Sequence, residues 1–191
     1  KAKKRLIRHI KPAEALGIAL GGQVPDVTDV GEQVVVGASL LKLRDRVAHA
    51  GDLPLLAPPE GLAATLRGYQ LRGVTWLAAM TEAGLGACLA DDMGLGKTVT
   101  LIALHLHRAQ LGAGPTLVVC PASLLGNWQA EIARFAPGIP CRRFHGAARD
   151  LSQGAKGRGE PLTSGFVLTT YATMRRDAAR LAQKAPYDVL I

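Results

Sequence analysis

The stretch "ADDMGLGKT", Ala90–Thr98, decides how the rest of this chain is read. Its end, Gly96-Lys97-Thr98, matches the close of the phosphate-loop pattern G-x-x-x-x-G-K-[ST], and Asp91 stands where that pattern has its first Gly. Gly94 and Gly96 let the backbone turn sharply, so that successive N–H groups can face a phosphate. Upstream, "ACLA" reads as a short buried strand. Downstream, "KTVTLIALHLHRAQ" reads as a helix that ends near Gly112. A helix N-terminus adds fixed partial positive charge at the same place. In this arrangement Lys97 is the mobile cation for the β- and γ-phosphates of ATP and the catalytic residue. Thr98 offers its hydroxyl to Mg²⁺. The plain alternative is a Gly-rich turn with an exposed lysine. With nothing bound, Lys97 is expected to point to solvent.

Outward from the loop, helices and strands alternate. "LRGVTWLAAMTEAG" reads as a helix with Val74, Leu77 and Met80 on one side. "TLVVC" is a β-branched strand, and "SLLGNWQAEIARF" a helix with Leu124, Trp128, Ile132 and Phe135 on one face. "CRRFH" is a weaker strand, followed by a polar loop. "FVLTT" is a strand, "ATMRRDAARLAQK" a helix and "YDVLI" a final strand. Strands separated by helices pair in parallel through right-handed crossovers, which makes an α/β layered domain with helices on both faces of the sheet. Residues 61–191 form this domain. Residues 1–60 read as a small α+β accessory region: a helix in "KPAEALGIALGG", a strand in "EQVVV", a helix in "ASLLKLRDRVAHAG" and the Pro-rich linker "GDLPLLAPPEG".

The composition fits this reading. The 191 residues are 48% hydrophobic but only 4% aromatic, so the core is built from Ala, Val, Leu and Ile. No apolar run has membrane length. The basic N-terminus lacks the apolar centre of a signal peptide. Cys88, Cys120 and Cys141 show no CxxC spacing, which disfavours a zinc site or disulfide framework and suits a reducing, cytoplasmic setting. His105 and His107 fall on different helix faces and make no metal pair. The net charge of +8 is unevenly spread. Residues 1–11 carry six Lys/Arg and no acid, and residues 130–184 carry ten Lys/Arg against four Asp/Glu. The second region lies on the same domain as the phosphate loop, so it invites a nucleic-acid reading.

Four motifs in order, "LRGYQ", "LADDMGLGKT", "CPASLLGNW" and "TTYATM", resemble the Swi/Snf-type ATPases, the remodeller-like branch of helicase superfamily two. The match runs from about Leu62 to Ile191, and Asp91 is that family's own departure from the generic loop. The resemblance implies the first RecA-like lobe of a translocase that uses ATP and Mg²⁺ on double-stranded DNA, alone or in a protein–DNA complex, and associates with the nucleoid in a bacterial member. It makes Gln70 the adenine reader, a role its carboxamide suits with one donor and one acceptor end. Without the resemblance, Gln70 reads as an ordinary helix glutamine. Asp91, Asp92, Met93, Gly94, Leu95, Gly96, Lys97 and Thr98 line the nucleotide. Ser123, Thr169, Thr170 and Tyr171 hold DNA phosphates, helped by Arg142, Arg143 and Arg175. Each of these four reads equally well as a helix cap or a strand end.

The family's strand "YDVLI" leads into an Asp-Glu pair that completes the Mg²⁺ and water site. The chain is therefore expected to be a fragment that binds nucleotide and turns it over negligibly. A strand-separating helicase, a metabolic phosphate-loop kinase and a non-catalytic nucleotide-binding module are the rival readings. The kinase accounts for the loop but not for the other three motifs.

Overall fold

The computed structural model describes residues 38–147, 163–184 and 189–190. The helix in "KPAEALGIALGG", the strand "EQVVV" and the basic tail lie outside the described residues. The chain divides into two compact units between Leu53 and Pro54, inside the expected Pro-rich linker. The described part of the first unit is one helix, α1 (Ala38–Ala48), with Arg44 and Asp45 paired at 2.9 Å on its exposed surface.

The second unit is a parallel α/β layer. Its helices are α2 (Gly68–Glu82), α3 (Lys97–Gln110), α4 (Leu125–Phe135) and α5 (Tyr171–Lys184). Its strands are β1 (Thr116–Val119), β2 (Cys141–Arg143), β3 (Phe166–Thr169) and β4 (Val189–Leu190). They lie in the order β2-β3-β1-β4, all parallel, with Thr116 opposite Phe166 and Val119 opposite Thr169. The centre strands are buried on both faces, as helices on each side of a parallel sheet require. Val118, Phe166 and Leu168 point to one side, where they meet Ile102 and Leu106 of α3 and Leu125 and Ile132 of α4. Leu117, Val119 and Val167 point to the other, against Met174 and Leu181 of α5. The period-two alternation of each strand thus supplies two cores at once.

Two expectations are corrected. "ACLA" makes no ladder pairing among the described residues, and Ala87, Cys88 and Ala90 are exposed; only Leu89 packs, against the α2–α3 core. Its apolar composition resembles a buried strand, but strand formation needs a neighbour with free N–H and C=O groups. Leu124 is 42% exposed and does not join the buried stripe of α4. Residues Ala122–Leu124 form a 3₁₀ turn, whose three-residue period rotates the register before the α-helix starts. Leu125, 2% exposed, takes the core position instead.

Residues Pro54–Leu66 lie along the lobe rather than free of it. The Leu56 N–H donates to Thr75 Oγ1 at 3.0 Å, and the Ala63 N–H to the Phe135 carbonyl at 2.8 Å. Leu56, Leu62 and Leu66 fill gaps beside Val74 and Ala103.

His105 is a core residue on α3, 2% exposed. Its Nδ1 lies 2.9 Å from Thr116 Oγ1, its ring packs 4.1 Å from that of Phe166, and Nε2 has no partner. Burial, and secondarily the nearby Arg108 charge, lower its pKa from 6.5 to about 4. The unfolded chain therefore binds this proton more readily than the folded one. Stability carried by the neutral ring is complete above pH 6.5 and drains away as pH falls towards 4, by an amount on the order of 3 kcal/mol. Urea melts at pH 7 and pH 4.5 will show this loss, and His105→Leu will flatten that part of the pH dependence. An unchanged slope in the variant would remove His105 as the cause.

Candidate functional site

The loop Asp91–Gly96 is shaped by two glycines in the left-handed region, Gly94 at φ +86° and Gly96 at φ +77°. Gly96 also caps α3, and no side chain covers that helix end. The first helical bond runs from the Thr100 N–H to the Gly96 carbonyl at 3.1 Å. The N–H groups of Lys97, Thr98 and Val99 thus have no helical acceptor. A methyl group on Gly96 would displace the Gln70 carboxamide and crowd Val99, and the φ of +77° already favours glycine there.

Lys97 does not point to solvent. Its Nζ donates to the carbonyls of Asp91 at 2.7 Å and Asp92 at 2.9 Å. The two carbonyls lie six and five residues before the lysine, and the Asp92 carbonyl also accepts from the Leu95 N–H at 3.4 Å. The loop is therefore occupied by its own lysine. Thr98 is half-buried beside it, Asp91 is half-buried, Asp92 is exposed, and Met93 is 96% exposed at the tip.

Gln70, 8% exposed, uses both ends of its carboxamide. Oε1 accepts from the Arg67 N–H at 2.9 Å, and Nε2 donates to the Leu95 carbonyl at 3.0 Å. One further donor hydrogen and one lone pair remain. The neighbouring Tyr69 hydroxyl also donates to the Leu95 carbonyl, at 3.1 Å. No pattern in the sequence marked Tyr69 for this; it shares the first turn of α2 with Gln70, and only folding brings that turn to the loop.

The second set of residues gathers at the C-terminal edge of the sheet. Because β1 and β3 are parallel and in register, their ends lie side by side, and the Cys120 N–H donates to the Thr169 carbonyl at 3.0 Å. Ser123 and Tyr171, which follow these strands, are exposed, Tyr171 by 58%. Thr169 is fully buried, and its hydroxyl donates to the Phe144 carbonyl at 2.9 Å. Thr170 is buried too; it donates to Thr173 Oγ1 at 3.0 Å and accepts from the Thr173 N–H at 3.3 Å. Both threonines are thus engaged in holding strand and helix ends.

The glycine loop opens on the same edge. His105 touches Thr116 at the start of β1. Lys97, eight residues earlier on α3, stands about 12 Å further along that helix. The end of β1 lies about 10 Å from its start. The two levels agree.

Arg142 and Arg143 alternate. Arg143 is in register with Leu168 and donates to Gln129 Oε1 of α4, while Arg142 is in register with Val167, on the α5 side. Period-two geometry therefore sends these arginines to opposite faces. Arg175 is exposed on α5.

Of the thiols, Cys88 is exposed, Cys120 is buried and Cys141 is half-buried. Burial raises the pKa of Cys120 and pushes that of Cys141 up to about 11 against the lowering effect of Arg143, so both are poor nucleophiles.

The model of the SNF2-related domain matches residues 69–191. YwqA of Bacillus subtilis is 37% identical over 154 residues, covering 80% of this chain and 16% of that protein. The ATP-dependent DNA helicase DDM1 of Arabidopsis thaliana is 31% identical over 188 residues, covering 96% of this chain and 23% of its own length. The solved SWI2/SNF2 ATPase core of Sulfolobus solfataricus in complex with dsDNA superposes with a TM-score of 0.60 at 37% identity, over 72% of this chain and 27% of that one. The chain thus spans less than a quarter of the length of these curated relatives. With the parallel sheet and the glycine loop in place, this chain belongs to the SNF2-related family of ATPase domains.

Proposed function

We propose that the chain is the ATP-binding part of a DNA-dependent ATPase and translocase of the Swi/Snf type, a RecA-like first lobe acting on double-stranded DNA or protein–DNA complexes. The observation that carries this is the glycine loop at an uncapped helix end with an ammonium already drawn into it. That is a site of unsatisfied N–H groups and positive charge, which suits a polyphosphate. In this reading Gln70 offers its remaining donor and acceptor to adenine. Asp91, Asp92 and Met93 shape the loop, and Gly94, Leu95 and Gly96 present backbone to the phosphates. Lys97 leaves its two carbonyls for the β- and γ-phosphates. No three His, Cys, Asp or Glu side chains among the described residues cluster to hold a metal. Thr98 would then contribute one oxygen to a Mg²⁺ that arrives with the nucleotide.

The strand-end edge is the proposed DNA face. Ser123 and Tyr171 make the contacts, while Thr169 and Thr170 position the strand and helix ends that carry them. Contacts of this kind track phosphates and read no sequence. The test is duplex-DNA binding across a salt series, comparing wild type with Ser123→Ala/Tyr171→Ala. The variant is expected to bind about tenfold more weakly, from two lost contacts. Its salt slope should stay the same, because counterion release follows the cationic side chains. Equal affinity for the two proteins would remove Ser123 and Tyr171 from that face.

A further inference from the structure

We infer that the Tyr69 hydroxyl is a positioning group for phosphate binding, one that holds the 95–96 peptide in place and leaves Gln70 free to serve the base. The inference rests on the nucleotide-site reading above.

Two side chains donate to one acceptor. Tyr69 Oη and Gln70 Nε2 lie 3.1 and 3.0 Å from the Leu95 carbonyl. In a trans peptide the C=O and the following N–H point in opposite directions. Pulling the Leu95 oxygen towards α2 therefore turns the Gly96 N–H away from α2. Gly96 is also the residue most able to flip, because its φ of +77° is one of several that glycine visits freely. A flipped 95–96 peptide would present a carbonyl to an anion instead of a donor. The peptide needs a restraint that the glycine cannot provide, and the two donors supply it.

The duplication has a consequence. Gln70 is the one of the pair whose chemistry suits a base edge, and engaging its remaining donor and acceptor with adenine would pull on its bond to Leu95. The phenol has no such second task. It is half-buried and anchored on the first turn of α2, and its bond to Leu95 does not depend on the amide. With Tyr69 in place, base recognition and phosphate recognition do not compete for one side chain.

The experiment is Tyr69→Phe, which removes one oxygen and keeps the ring. Affinities for ADP and for inorganic tripolyphosphate would be measured by calorimetry, alongside the melting temperature. We expect both affinities to fall by a similar factor, about fivefold, the worth of one hydrogen bond. The melting temperature should stay within a degree or so, since a surface-reaching hydroxyl contributes little to stability. A lowered melting temperature with unchanged affinities would make Tyr69 structural and overturn the inference. A loss for ADP without a loss for tripolyphosphate would make it a base contact and overturn it equally. If wild type bound neither ligand, the nucleotide-site reading itself would fall, and this inference with it.

Discussion

Gly165→Ala will destabilise the second unit by about 3 kcal/mol or more, seen as an early urea transition with unchanged cooperativity. The added methyl would lie 2.2 Å from the Pro140 carbonyl oxygen and 3.0 Å from its carbon. Both are backbone atoms, which cannot swing aside as a side chain can. The residue also sits at φ +91°, where an L side chain is strained whatever the space around it. Neither problem is relieved by a local shift, because the neighbours are tied down. The Thr116 N–H donates to the Gly165 carbonyl at 2.8 Å, and the Phe166 N–H to the Pro140 carbonyl at 2.8 Å. These bonds start the β1–β3 and β2–β3 ladders. Moving Gly165 to admit the methyl would pull on both ladders at their first rung. A stability within 1 kcal/mol of wild type would show that this corner relaxes freely.

Lys97→Ala will lower ADP affinity about ten- to a hundredfold without unfolding the lobe. This range corresponds to losing a charged hydrogen bond to phosphate, worth about 1.5–3 kcal/mol. The free-state contacts with Asp91 and Asp92 temper the effect. Binding must first break those two bonds, so the measured affinity of wild type is already a net value. Removing the lysine leaves the Asp91 carbonyl to water and the Asp92 carbonyl to water and the Leu95 N–H, at an exposed loop where water is at hand. The melting temperature should therefore change by about 2 °C at most, while calorimetry with ADP records the loss. Unchanged affinity would refute the phosphate-loop reading, and a collapsed melting curve would make Lys97 a structural residue.

Much of this architecture is local, and so was legible along the chain. Helix α2 announces itself through apolar spacing, and β1 through a β-branched run flanked by Gly114-Pro115 and Pro121. The alternation of helices and strands implies a parallel sheet, because two parallel strands need a crossover between them. The glycine loop is equally local: two glycines, a lysine and a threonine at set spacing need no distant partner to be recognised.

What the sequence could not carry is pairing and direction. "ACLA" has the composition of a strand, yet ladder formation depends on a neighbour supplied from elsewhere in the fold. Leu124 and Leu125 are indistinguishable by hydropathy, and a single 3₁₀ turn decides which of them is buried. Arg142 and Arg143 look like one basic patch in the sequence, and the pleat of β2 separates them. Lys97 reads as a solvent-facing cation in the sequence, and the folded loop brings the Asp91 and Asp92 carbonyls within reach of its ammonium. Tyr69 and Gln70 stand 26 and 25 residues from Leu95 along the chain. Residue types and spacing determined that this protein has a glycine-rich loop at the start of a helix in an α/β lobe. Tertiary structure alone decided which side chains hold that loop, because hydrogen bonds are directional and their partners come from remote segments.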